Sequence, residues 1–159
     1  MTDLLGGLCL LCVTVGLIQY LDREETRRVA EYGAFLDFLR YIRTQIDCYR
    51  RPRADLFAAY GNAVLEETGF LPKLRAGGGF AEGFAASRSL LDGQTRELLI
   101  AFDRELGSSY TGEQLHACDF YIARLTEGET RIREESPARR KLHRTVTACG
   151  GMLVFLLLV

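Results

Sequence analysis

The residues of this chain whose types could carry hydrolytic or metal chemistry include two histidines, five cysteines and pairs of neighbouring glutamates. A hydrolytic site needs a nucleophile beside a base, two carboxylates converging on one cleft, or a set of metal ligands. Glu66/Glu67 and Glu134/Glu135 are sequence neighbours. Such neighbours project to different faces of a helix and cannot share a site. His116 and His143 are far apart, and neither stands at ligand spacing from a cysteine or at motif spacing from a Ser or Cys. Cys9-x-x-Cys12 falls inside an uncharged apolar run, without the polar partners that a redox or zinc motif requires. With Cys48, Cys118 and Cys149 it reads as small packing residues. Gly77–Gly79 is not followed by the lysine of a phosphate-binding loop and reads as a connector. The expectation is a protein without catalytic residues, metal, cofactor or small-molecule substrate.

The surface signal that remains is basic. Arg50, Arg51 and Arg53 surround Pro52, and three guanidiniums at a helix junction suit pairing with acidic groups on a protein partner. Across the chain 20 basic residues balance 21 acidic ones, for a net charge of −1. That balance argues against nucleic acid as a general partner.

The elements that would hold these residues are helical throughout, so the fold class is all-α. Tyr32, Phe35, Leu39, Ile42, Ile46 and Tyr49 recur at steps of three and four, which predicts one long helix ending near Arg51, ahead of Pro52. Leu56, Phe57, Tyr60 and Val64 give the next apolar face. The stretch TGFLPKLRAGGGF, with Pro72 and three glycines, reads as a loop, followed by a short helix around Ala81 to Leu91. Leu98, Leu99, Phe102 and Leu106 line a further helix, with Gly107 placed as its C-cap and Thr111 as the N-cap of the next. There Leu115, Cys118, Ile122 and Leu125 form the stripe. Beyond it the acid-before-base pairs Glu127/Arg131, Glu129/Arg133 and Glu135/Arg139 predict a solvated helix, kinked or broken at Pro137.

Both ends are apolar. Leu4 to Leu21 carries no charge over eighteen residues, which as a helix rises roughly 27 Å against a hydrocarbon core of about 30 Å. Asp3 is the one early charge, so the basic start of a secretory signal is missing and an uncleaved anchor is expected. Thr145–Val159 ends in MLVFLLLV and rises only about 22 Å. It therefore reads as a short second anchor or a re-entrant tail. The organisation is a transmembrane helix over 4–21, a helical bundle domain over 22–144 and a membrane segment over 145–159. Gly6, Gly7 and Gly16 against Gly150 and Gly151 would permit close packing of the two membrane helices. Arg23, Arg27 and Arg28 follow the first anchor, and Arg139, Arg140, Lys141 and Arg144 precede the second. The positive-inside bias then places the helical domain in the cytoplasm.

In its order of features the chain resembles the stage III sporulation protein AB family. The resemblance rests on LLGGL at Leu4–Leu8, LRYIRTQI at Leu39–Ile46 with Pro52 six residues on, Leu106-Gly107 with Gln114 downstream, and the final GGMLVFLLLV. The family pattern departs here at Tyr49-Arg50-Arg51 and Arg53 around the proline, at Tyr110, and at Pro137 in a helix that is otherwise uninterrupted. The resemblance implies a two-anchor membrane protein whose helical domain is similar to type II secretion F-type platform domains. It further implies a non-enzymatic place in a sporulation complex linking mother cell and forespore, in the mother-cell or outer forespore membrane. Implied partners are membrane lipid, a secretion-type ATPase component, for which Arg50, Arg51 and Arg53 offer a surface, and other membrane proteins of that complex. Two other classes fit the residues: a generic secretion-type membrane adaptor or tail-anchored regulator with no sporulation role, and a membrane-bound enzyme.

Overall fold

A computed structural model describes residues 2–49, 53–106 and 111–158, the side chains at 2–12, 14, 49, 53–54, 111, 140, 143–144, 148, 151 and 153–158 excepted. Among the described residues the chain is all-α, with seven helices and no strand: α1 Thr2–Tyr49, α2 Arg53–Ala59, α3 Ala63–Glu67, α4 Phe70–Arg75, α5 Phe80–Ala86, α6 Gly93–Glu105 and α7 Thr111–Leu158. It divides into two units: Met1–Arg27 with Ile132–Val159, and Arg28–Arg131.

In the unit Arg28–Arg131 the predicted stripe of α1 is the centre of the core. Tyr32, Phe35, Leu39, Ile42 and Ile46 are buried, and the buried surface is wider than the stripe, taking in Glu31, Ala34, Leu36 and Phe38 as well. A helix enclosed on most sides needs cover from several directions, and α2 to α6 provide it. Phe57, Phe70, Phe80, Phe84 and Phe102 bring one or more rings from each of α2, α4, α5 and α6. Phe80 lies 5.9 Å from Phe38, 6.0 Å from Phe57, 5.3 Å from Phe70 and 6.1 Å from Phe102, centroid to centroid. Each such pair adds about 0.5–1.5 kcal/mol beyond its buried area. Of the stripe expected on α7, Cys118 and Leu125 are buried and Leu115 and Ile122 half-buried, with Tyr121 buried beside them.

The stretch expected to be a loop contains α4. Pro72 does not break it, because it sits in the first turn, where a backbone N–H has no intrahelical acceptor. Phe70, Leu71 and Leu74 drive the helix inward. Its end is a Schellman motif: Gly77 N–H donates to the Leu74 carbonyl (3.0 Å) and Gly78 N–H to the Lys73 carbonyl (3.2 Å). Gly77 takes φ 90, a left-handed value that a side chain would strain. The glycines thus stop a helix instead of cradling a ligand. The following helix is shorter than expected, since α5 ends at Ala86 and the chain runs without regular structure from Ser87 to Asp92.

α1 and α7 run antiparallel in this unit. Arg43 meets Asp119 at one level, while Tyr32 and Gly33 meet Gly128 and Glu129 at the other. A Cβ on Gly128 would stand 3.3 Å from the Tyr32 ring, so the glycine allows the helices this close. α7 passes Pro137 as a continuous helix, so the expected break does not occur. Only the N–H of residue 137 is lost to the ladder. α7 begins at Thr111 itself, while the Gly107 cap lies outside the described residues. Glu135 and Arg139 pair at 2.9 Å as expected, and Glu127 turns back to Arg124 at 3.4 Å.

Candidate membrane and partner surfaces

Three features of the described residues stand apart from the apolar core. The first is a set of polar pins that fix the irregular segment Ser87–Asp92 to α1. Glu31 accepts from Leu90 N–H (2.7 Å) and from the Ser89 hydroxyl (2.5 Å). Burial raises its pKa, opposed by those two hydrogen bonds and by Arg96. At the next residue, the Tyr32 hydroxyl donates to Asp92 and lies 2.8 Å from Thr95 Oγ1. Asp92 is also the N-cap of α6, accepting from Thr95 N–H at 2.9 Å. Burial and the Asp92 contact push the Tyr32 phenol up to about 12. Burial works against Asp92 as well, but hydrogen bonds from Tyr32 and Thr95 and the Arg28 charge at 3.8 Å leave its pKa below the usual carboxylate value. On α6, Asp103 accepts from Phe80 N–H at 3.0 Å and caps α5 from 23 residues away. These groups are engaged in holding the fold.

The second feature is an open cavity of about 490 Å³ where α6 ends and α7 begins, lined by Glu105, Gly112, Glu113, His116, Ala117 and Phe120. Glu105 accepts from the Tyr121 hydroxyl at 2.9 Å. Burial, with this contact added, pushes that phenol up to about 12. Phe120 is 51% exposed, packs edge-on against Tyr121 and carries the Arg124 guanidinium at 5.6 Å. Half-exposed aromatic carbon beside two carboxylates is recognition chemistry for a cation on a long side chain. Behind it, burial raises the Cys118 thiol to about 11, so at neutral pH it is held as the unreactive thiol.

The third feature belongs to the unit Met1–Arg27 with Ile132–Val159. Large apolar side chains lie in the open along both of its helical segments: Val13, Val15, Leu17 and Tyr20 on α1, and Leu142, Val146 and Met152 on α7. Among the described residues no helix is long and apolar enough to cross a membrane. The side chains of residues 2–12 and 153–158, which supply most of the apolar character of the two ends, lie outside the described residues. The side chains of Cys9 and Cys12, expected to be small packing residues, lie outside them too.

Of the residues singled out in the sequence, Arg50 and Arg51 lie outside the described residues, and Arg53 opens α2 with its side chain outside them. Gly6, Gly7 and Gly16 fall on α1, Gly150 and Gly151 on α7. A Cβ at Gly16 or Gly150 would meet nothing within 4 Å. His116 is exposed in the cavity wall, and the side chain of His143 is outside the described residues. Glu66 is paired with Arg75 at 2.6 Å. The described residues hold no cluster of three or more His, Cys, Asp or Glu side chains suited to a metal. Sequence reading missed the cavity because its wall joins the end of one helix to the start of another, and periodicity registers each helix alone.

Comparison with known proteins finds the family model described as stage III sporulation protein AB over residues 79–159, just over half of the chain. Leu106-Gly107, Gln114 and GGMLVFLLLV fall within that match, whereas Leu4–Leu8 and Leu39–Ile46 precede it. No curated protein and no solved structure matches.

Proposed function

The chain belongs to the stage III sporulation protein AB family, whose role lies in sporulation, and on that premise we propose that it is a non-enzymatic membrane platform of a complex joining mother cell and forespore. The observation that carries the membrane part is the placement of exposed apolar side chains. Val13 to Tyr20 and Leu142 to Met152 adjoin the two charge-free ends of the sequence. In water such rows would be a liability, and in lipid they are the favoured surface. Open space beside Gly16 and Gly150 leaves room for a neighbouring helix to approach.

The helical unit then stands on the cytoplasmic side of the mother-cell or outer forespore membrane, where the basic residues flanking both ends favour it. Its part is to be held and to hold others. A secretion-type ATPase component and further membrane proteins are the partners in view, and Arg50, Arg51 and Arg53 are a contact surface for them. The test is affinity purification of the tagged full chain from membranes of sporulating cells. The proposal expects a secretion-type ATPase to copurify from the membrane fraction. Recovery of the chain from the soluble fraction, without such a component, would overturn it.

A further inference from the structure

We infer that the basic stretch Arg139–Arg144 of α7 binds the headgroups of anionic phospholipids, so that the protein gathers acidic lipid around its second membrane segment. The inference rests on the two-anchor reading above and names the class of lipid those anchors select.

The chain as a whole is almost neutral, but its charge is unevenly spread. Residues 136–159 hold Arg139, Arg140, Lys141 and Arg144 and no Asp or Glu, so the rest of the chain is net negative. Glu135, the last acidic residue in the sequence, pairs with Arg139 at 2.9 Å. Both partners are about half exposed, so this pair is weak. No acidic residue stands three or four positions from Arg140, Lys141 or Arg144. The helix therefore supplies them no counter-charge at the spacing that pairs side chains. Lys141 is exposed and stands nine residues from the buried Ile132. That is about two and a half turns, so it points away from the packed face. Beside it Leu142 is 62% exposed and Val146 61% exposed. Open apolar carbon interleaved with positive charge suits neither water nor hydrocarbon alone. It suits the layer where acyl chains give way to phosphates.

The depth agrees with this chemistry. Arg139 to Arg144 lie one to six residues before Thr145, where the uncharged end begins, and that distance is a rise of about 1.5–9 Å. The headgroup layer is about 5–8 Å thick on each side of the hydrocarbon core, and the stems of Lys and Arg are long enough to bring their charges into it. On α1 the exposed Tyr20 stands one residue before the end of the other uncharged run, a place where tyrosine is favoured in membranes. Arg23 and Arg27 follow it, but Asp22, Glu24 and Glu25 are interspersed with them. The lipid preference therefore falls to α7. An acidic protein surface would match the charges, yet it would have to reach them at headgroup depth, where lipid phosphates already stand.

The test reconstitutes the full chain into phosphatidylcholine vesicles holding a trace of spin-labelled phosphatidylglycerol or of spin-labelled phosphatidylcholine. Electron paramagnetic resonance reads the fraction of each label that the protein immobilises. Phosphatidylglycerol should be preferred by roughly threefold or more, since each basic residue near an anionic leaflet adds to the attraction. Salt at about 1 M should remove most of that preference by screening. Arg140→Gln, Lys141→Gln and Arg144→Gln in one chain should bring the two labels to equality. Arg140→Lys with Arg144→Lys should keep the preference, because charge and not guanidinium shape is what the phosphate layer reads. Equal immobilisation of both labels by the unaltered chain refutes the lipid contact and leaves the cluster to an acidic protein. A preference that survives the triple neutralisation, or one that the lysine variant loses, refutes it as well. An absence of immobilised lipid with either label refutes the anchors, and the lipid contact falls with them.

Discussion

Tyr32→Phe removes one oxygen from the interior without leaving a cavity, so it isolates the polar pin between α1 and the start of α6. The hydroxyl makes two hydrogen bonds, one to the Asp92 carboxylate and one with Thr95 Oγ1 at 2.8 Å. A neutral hydrogen bond contributes about 0.5–1.5 kcal/mol and one to a charged group about 1.5–3 kcal/mol. The sum must be discounted, because Asp92 keeps Thr95 N–H at 2.9 Å and its side chain is 30% exposed to replacement water. A loss of about 2 kcal/mol at pH 7 follows. The pH dependence gives a second check. Asp92 has its pKa lowered in the fold, so its stabilising contribution is full above its unfolded value and lost as pH falls through the folded one. Part of that lowering comes from Tyr32. The gap between the parent and the variant should therefore narrow as the solution is taken from pH 7 to pH 3. Urea denaturation of the excised segment 22–144, followed by circular dichroism, measures both quantities, with the denaturant slope unchanged. A gap under about 0.5 kcal/mol at pH 7, or one that stays constant down to pH 3, would refute the pin.

The excised segment itself should unfold cooperatively, and Leu39→Asp or Leu125→Asp should abolish that transition, because each puts an unpaired charge where the side chain is fully enclosed. A variant melting like its parent would contradict the assigned core. Gly83→Val should cost about 1–3 kcal/mol through overpacking, since a Cβ there would stand 2.9 Å from the Phe70 ring and 3.0 Å from Leu74; an unchanged urea midpoint would show that α4 and α5 do not cross so closely. Gly77→Ala should cost about 1 kcal/mol by forcing a side chain into the left-handed region, and a midpoint above the parent's would rule out the Schellman end of α4.

The long stripe of α1 was legible because its apolar residues recur at helical spacing and the structure buries them. Residues 70–75 were not, since proline and glycine were weighed as breakers although Pro72 occupies the one turn that tolerates it. Phe80 shows the same limit. In sequence it closes a glycine run, and only the fold reveals it at the centre of four aromatic contacts. Glu31 looks like one more solvated charge, yet its partners stand 58 and 59 residues away. Pro137 misled in the opposite direction, because a single missing N–H does not end a helix of 48 residues. The arginines around Pro52 are visible at once in the sequence, whereas the wall of Glu105, Glu113 and Phe120 exists only where α6 and α7 meet.

The central claim is that the ends of α1 and α7 lie in a membrane with the unit between them on the cytoplasmic side, and thiol labelling in oriented vesicles tests it most directly. Cys48 is exposed, whereas Cys118 is buried and will not report. With Cys9, Cys12 and Cys149 changed to serine, an impermeant maleimide should modify Cys48 in inside-out vesicles and spare it in right-side-out ones. In a second chain that also carries Cys48→Ser and Asp3→Cys, the pattern should reverse, placing residue 3 across the bilayer from the helical unit. Labelling of Cys48 in right-side-out vesicles, or of both positions from the same side, would contradict the account.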